Sequence, residues 1–155
     1  MKHILTILLL VVTSIPVAAK TIWSDYSLSY LSGNNYEVGD KSRDIATFEY
    51  ASGTTWGDNF MFFDRLESSN GDIETYGEFS PRIKITSFDD SFVKALYVAS
   101  TVEMGPKTNY LIGLGSDLKV PGFNFFKMNL YLKNNGDGDS NFQTKIVWAL
   151  HLGPL

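Results

Sequence analysis

The chain has 155 residues, of which 44% are hydrophobic, 14% aromatic and only 19% charged. This composition excludes an intrinsically disordered chain, which combines low hydrophobicity with high charge. The formal net charge of −4 disfavours binding to nucleic acid polymers, and the lack of cysteine excludes both a disulfide framework and a thiolate metal site.

Residues 1–19 have the pattern of a secretory signal peptide. Lys2 and His3 form a short basic start, residues 4–12 are almost wholly apolar, and Val17-Ala18-Ala19 supplies small residues before Lys20. The apolar run is well short of the roughly 20 residues that a membrane-spanning helix needs. The sequence therefore predicts cleavage after Ala19 and an exported domain at residues 20–155.

From Lys20 onward, short alternating segments are separated by clusters of Gly, Asn, Asp, Ser and Pro. They predict about eight strands, in chain order at residues 23–31, 44–51, 58–66, 73–86, 92–104, 109–120, 125–133 and 141–151. Most are near the 9–11 residues of a tilted membrane strand, whereas strands of soluble proteins usually have about five or six. Strand length therefore favours an antiparallel up-and-down transmembrane β-barrel.

The connections between the predicted strands alternate in length. If the mature N-terminus lies in the periplasm, the links at Ser52-Gly53, residues 87–91 and Pro121-Gly122 are periplasmic and short. The links at residues 32–43, 67–72 and 134–140 are then external and mostly longer, with residues 105–108 as an exception. Short periplasmic turns and longer external loops are typical of outer-membrane barrels.

The segment 125–133, FFKMNLYLK, shows the alternation most clearly. Phe126, Met128, Leu130 and Leu132 share one face, and Lys127, Asn129, Tyr131 and Lys133 share the other. In a soluble lipocalin-like barrel the apolar face lines an internal pocket, whereas in a membrane barrel it faces lipid and the polar face lines a lumen. The period of two leaves both arrangements open, so a soluble exported binding barrel is the alternative to a membrane channel.

Catalytic and metal-binding motifs are weak throughout the sequence. Beyond the predicted leader the chain keeps one histidine, His151, which has no identifiable partner to orient it as a general base. Gly113-Leu114-Gly115 lacks the third glycine of a dinucleotide fingerprint and indicates a place where backbones or a permeant approach closely. Residues 135–139, NGDGD, are not followed by the glutamate that completes an EF-hand loop. The sequence therefore predicts neither an enzyme nor a cofactor or metal site.

Polar and charged residues recur on the face opposite the bulky apolar side chains. They are Glu78, Arg82, Lys84, Asp117, Lys119, Lys127, Asn129, Tyr131 and Lys145. Mixed charges, hydroxyls and amides suit a water-filled passage that binds small polar solutes weakly. On the outer surface of a soluble barrel the same residues would only be solvated.

Four segments of the mature chain together carry a family resemblance. They are residues 23–37, which begin with Trp23-Ser24-Asp25; residues 47–64, which include Trp56-Gly57-Asp58; Glu78-Phe79-Ser80-Pro81-Arg82; and Gly113-Leu114-Gly115-Ser116-Asp117. In this order the segments resemble the Tsx/OmpK family of nucleoside-specific outer-membrane channel-forming proteins, and the likeness covers nearly all of the mature chain.

The resemblance implies a monomeric β-barrel in the outer membrane of a Gram-negative bacterium, in contact with lipid and without a cofactor. Tsx-like members pass nucleosides by facilitated diffusion, and OmpK-like members also serve as phage receptors. Arg82, Glu78 and Asp117 lie in the matched motifs, and aromatic rings would stack on bases. The expected solute-contacting residues are Glu78, Arg82, Asp117, Lys127, Asn129, Tyr131 and, on the first external loop, Tyr36.

The strand count departs from the family pattern. Family barrels are similar to one another in having about twelve strands, and bacterial barrels have an even number. About eight strands are predicted here, and residues 153–155 have the pattern of a turn rather than of a terminal strand that ends in an aromatic residue. Because an open sheet edge is not tolerated in lipid, the sequence favours a barrel that is C-terminally incomplete, with a small closed barrel as the alternative.

Overall fold

The structure, a computed structural model, describes residues 20–37, 39–135, 138–150 and 153. Its strands are β1 (Thr21–Asn34), β2 (Ser42–Thr54), β3 (Gly57–Ser68), β4 (Ile73–Ser87), β5 (Val93–Met104), β6 (Thr108–Leu118), β7 (Phe123–Asn134) and β8 (Ser140–Leu150). Within these ranges no helix is long and apolar enough to cross a bilayer. The predicted leader at residues 1–19 and the lone His151 lie outside the described residues.

The eight strands form one antiparallel sheet in which each strand pairs with its neighbours along the chain. In the described part of the chain no ladder joins β1 to β8, so the sheet is a half-barrel with two edges. The prediction of an all-β, up-and-down architecture with eight strands is confirmed. The alternative of a small closed barrel is not what these strands form.

Strand β7 shows which face of the sheet is internal. Asn129 and Tyr131 are 6% and 2% exposed, whereas Leu130 and Leu132 are 52% and 49% exposed. The outward row that contains Leu130 continues across the sheet through Leu114, Val98 and Ile83, all of them exposed. The polar face is thus the concave inner side and the apolar face points outward, as in a membrane barrel.

Small residues on β5 and β6 allow the sheet to curl. A Cβ at Gly113 would come within 1.8 Å of the Leu130 carbonyl oxygen, and a Cβ at Gly115 would lie 2.4 Å from Asn129 Oδ1. Ala99, opposite Gly113 in the ladder, is fully buried. These positions leave no room for larger side chains on the inner side. The close approach predicted for Gly113-Leu114-Gly115 is thus confirmed, with the Leu130 backbone at Gly113 and the Asn129 side chain at Gly115.

The connections correct two predictions. Ser52-Gly53 is not a turn: β2 continues to Thr54, because Gly53 stays in the ladder opposite Trp23, whose indole lies over it. The predicted alternation of short and long links is also weak. Residues 69–72 and 105–107 form links no longer than residues 88–92, and the long connection is the one at residues 35–41. Which end of the sheet faces the periplasm stays a prediction.

Candidate functional site

The structure places six of the seven predicted contact residues on the inner face of the sheet. They are Glu78 and Arg82 on β4, Asp117 on β6, and Lys127, Asn129 and Tyr131 on β7. Four of these six residues meet in one cluster around Arg82, and Glu78 belongs to a second cluster. Tyr131 instead packs against Ala99 and Leu111 in a buried inner corner. Contact with a solute stays a prediction for all of them.

Arg82 is the centre of the first cluster, and its side chain is only 4% exposed. Its Nε donates to Asp58 Oδ1 at 2.8 Å and its Nη2 donates to Asp117 Oδ1 at 2.8 Å, with a second bond from Nη2 to Asp58 Oδ2. Nη1 donates more weakly to Asn129 Oδ1 at 3.4 Å. The guanidinium carbon lies 4.1 Å from the centre of the Tyr97 ring. A planar fork of donors suits this position because it binds two carboxylates and stacks on a ring at once.

The register of the sheet explains why these side chains meet. Asp58 lies directly opposite Arg82 in the β3–β4 ladder, and Asp117 lies opposite Lys127 in the β6–β7 ladder. Lys127 Nζ donates to Asp58 Oδ2 at 2.9 Å, and Tyr97 Oη donates to Asp117 Oδ2 at 2.8 Å. We call Asp58, Arg82, Tyr97, Asp117, Lys127 and Asn129 the Arg82 cluster. Its two cations and two carboxylates balance, so it presents no unpaired charge of its own.

Sequence reasoning missed Asp58 and Tyr97 as members of the Arg82 cluster. The alternation of side chains along each strand could have indicated them, because both residues fall on the same face as Arg82. The alternation does not distinguish these two residues from other polar residues on the same face, because only the pairing register of neighbouring strands shows which side chains meet.

A second cluster lies on the same face. Glu78 and Glu103 are directly opposite each other on β4 and β5, an unfavourable arrangement for like charges. Lysines from β8 and β7 neutralise them: Lys145 Nζ donates to Glu78 Oε2, and Lys133 Nζ donates to Glu103 Oε2 at 2.7 Å. Tyr76 adds a hydroxyl bond to Glu78 Oε1 at 3.1 Å. The four charged residues form the Glu78 cluster, which is also balanced.

The two clusters resemble each other in the way their charges are held. Their carboxylates are held by lysine or arginine and by neutral donors, which leaves no free base next to a nucleophile. Among the described residues no group of His, Cys, Asp and Glu is arranged to hold a metal ion. The inner face presents hydrogen-bonding groups and aromatic rings.

An open cavity of about 570 Å³ adjoins the Arg82 cluster, four of whose members line it together with residues of β1, β2, β7 and β8. Its lining combines aromatic rings with polar groups and includes Trp23, Asp25, Phe60, Phe125, Tyr131 and Lys145. Its volume falls within the range of about 300–1,000 Å³ that is usual for small-molecule sites. Trp23, Phe60 and Phe125 were not predicted as contacts, because aromatic residues occur on both faces of these strands.

Tyr36, the seventh predicted residue, lies apart from both clusters. It belongs to the connection 35–41, where its backbone N–H donates to the Lys41 carbonyl at 3.2 Å. A Cβ at Gly33 would lie 3.1 Å from the Tyr36 hydroxyl, so the phenol ring rests on this glycine. Gly33 is an even number of positions from the inward-facing residues of β1, so it also faces inward. The Tyr36 ring therefore lies over the inner side at the loop end of the sheet.

Comparison with known proteins finds a distant relative named as an outer membrane protein. Outer membrane protein OmpK of Vibrio parahaemolyticus serotype O3:K6 (strain RIMD 2210633) is 29% identical over 183 aligned residues, covering 95% of this chain and 67% of that protein. No family model matches the chain, and no solved structure matches it. The similarity over nearly the whole chain, together with the all-β half-barrel, supports an OmpK-like outer-membrane family and a place in the outer membrane for this protein.

Proposed function

We propose that this chain forms the wall of an outer-membrane channel that passes nucleosides or similar small polar solutes by facilitated diffusion. The observation that carries the proposal is the cavity, in which the rings of Trp23, Phe60 and Phe125 lie beside hydrogen-bonding groups on the inner face. A nucleoside combines a flat base with sugar hydroxyls, and therefore matches both kinds of surface.

The energetics of the face suit passage rather than capture. Stacking of a base on an aromatic side chain contributes about 1–3 kcal/mol, which alone gives only weak binding. The charges of the Arg82 cluster already satisfy one another, so they offer a solute no strong unpaired electrostatic site. Weak binding at successive positions is what a channel needs, since a tight site would hold its solute.

The alternative of a soluble lipocalin-like binding barrel fits the structure less well. Such a barrel needs an apolar interior, whereas Arg82, Thr101, Glu103 and Asn129 are buried on the inner side. The outer side exposes large apolar residues over many strands, far beyond the scattered apolar residues of a soluble surface.

Uptake into proteoliposomes tests the proposed function. We expect the protein purified from outer membranes to admit uridine faster than a sugar of comparable size that lacks a flat base, with a rate that saturates. Trp23→Ala is expected to weaken the saturation, because it removes a ring from the cavity. Phe142→Ala is the matched control, since Phe142 points outward and is largely exposed. Equal rates for uridine and the sugar would refute nucleoside preference, and no uptake would refute the channel.

A further inference from the structure

Two ion pairs of the inner face connect strands that are far apart in the sheet. Asp58 on β3 pairs with Lys127 on β7 at 2.9 Å, and Glu78 on β4 pairs with Lys145 on β8. In each pair the two strands are four positions apart. Neighbouring strands are spaced by about 4.8 Å, so strands four positions apart in a flat sheet would be about 19 Å apart. The sheet is therefore strongly curled, and these side chains reach across its concave space.

The two pairs separate a filled region from an open one. On the side of β5, behind the pairs, Tyr97 and Ala99 are buried and do not line the cavity. On the side of β1 and β2 lies the 570 Å³ cavity, to whose lining Lys127 and Lys145 also contribute. Both lysine side chains thus stand at the boundary between the packed region and the cavity.

We infer that the Asp58–Lys127 and Glu78–Lys145 pairs act as cross-struts that set the width of the passage and hence the size limit for solutes. The inference rests on the proposed channel function and adds a size-determining role to these four residues. Each strut holds its lysine against a carboxylate on a strand four positions away. Loss of a strut removes this bridge and widens the route that remains. A wider route admits larger solutes, because the diameter of a pore decides which solutes pass.

Conductance in planar bilayers tests the struts without any nucleoside. The variant Glu78→Ala/Lys145→Ala removes one strut and leaves the net charge unchanged, so a change in conductance cannot come from added fixed charge. The matched control is Arg43→Ala/Glu74→Ala, which removes an ion pair that is also charge-balanced but belongs to neither cluster and joins strands only two positions apart. Far-UV circular dichroism identifies the folded protein in each preparation.

We expect the strut variant to conduct potassium chloride about twofold better than the natural protein, since flux grows with the open cross-section. Liposome swelling should show a higher size limit for neutral sugars. The control should stay close to the natural protein in both measurements. The swapped variant Glu78→Lys/Lys145→Glu restores the pair and should restore the natural conductance.

The outcomes distinguish failure of the strut inference from failure of the proposed channel function. A natural protein that conducts, together with a folded strut variant of unchanged conductance and size limit, overturns the inference while leaving the channel intact. An equal increase in the control also overturns it, because general loosening would then explain the effect. A natural protein that does not conduct refutes the proposed channel itself. If the alanine variant does not fold, Glu78→Gln/Lys145→Met keeps the side-chain volumes and is judged by the same criteria.

Discussion

Replacement of Arg82 by leucine should destabilise the sheet strongly. Arg82 is buried and forms hydrogen-bonded ion pairs with Asp58 and Asp117. Removal of one partner from a buried ion pair typically costs about 3–5 kcal/mol, because the other charge stays buried. Asp58 keeps Lys127 and Asp117 keeps the Tyr97 hydroxyl. We therefore expect Arg82→Leu to lower the free energy of unfolding by about 3 kcal/mol, at the lower end of that range.

Unfolding in urea, followed by tryptophan fluorescence of the protein in lipid vesicles, measures this loss. Arg65→Leu is the control, because Arg65 pairs with Glu67 where both side chains are more than half exposed, and such surface pairs contribute at most about 1 kcal/mol. Arg82→Lys keeps the charge but loses the bidentate bond. Its loss of unfolding free energy should lie between those of Arg65→Leu and Arg82→Leu. A loss of less than about 1 kcal/mol for Arg82→Leu would refute the view that pairing holds this charge in place.

Three further predictions concern the outer face, the curl of the sheet and a loop. Leu130→Arg, placed on the outward face, should lower the free energy of unfolding in vesicles by about 2–4 kcal/mol; a neutral effect would show that this face does not meet lipid. Gly113→Ala should cost about 1–3 kcal/mol in the same assay, because its Cβ would come within 1.8 Å of a backbone oxygen; unchanged stability would contradict the close approach. Asp40 lies outside the strands, where bonds from the Ser69 hydroxyl and the Asn70 N–H lower its pKa. Its stabilisation of the loop should be complete above the ordinary aspartate value of about 3.9 and be lost as the pH falls through the lower folded value. The Asn70 amide chemical shift in a pH titration reports this loss, and a midpoint at or above the ordinary value would contradict it.

The strands and their faces could be predicted because long alternating segments carry that information locally. In β7 the period of two alone separates Asn129 and Tyr131 from Leu130 and Leu132, and the structure keeps that separation. The pattern does not say which set is internal, since that depends on the solvent around the barrel. Boundaries were less predictable, as Ser52-Gly53 shows: a Ser-Gly pair resembles a turn until the cross-strand indole that covers it is known.

The contacts of the candidate site could not be predicted in the same way. The pair Asp58–Lys127 joins residues 69 positions apart in the sequence, and it forms only because the sheet curls. That curl depends on Gly113 and Gly115, where missing side chains let backbone and amide groups approach. Parity assigns a residue to a face, but it does not give the curvature that decides which residues of that face touch.

The inner face also explains how a chain with this composition can fold with charges inside. Burial of an isolated ion costs several kcal/mol, and close pairing only roughly offsets that cost. The Arg82 and Glu78 clusters therefore specify which strands curl towards each other more than they drive folding. The driving force for folding must come from the outward apolar face. Removal of this face from water is favourable, and it occurs only when lipid or detergent covers the face. Without either, the same face would be an exposed apolar surface that promotes self-association, so the polar interior is a stable arrangement only for a protein that resides in a membrane.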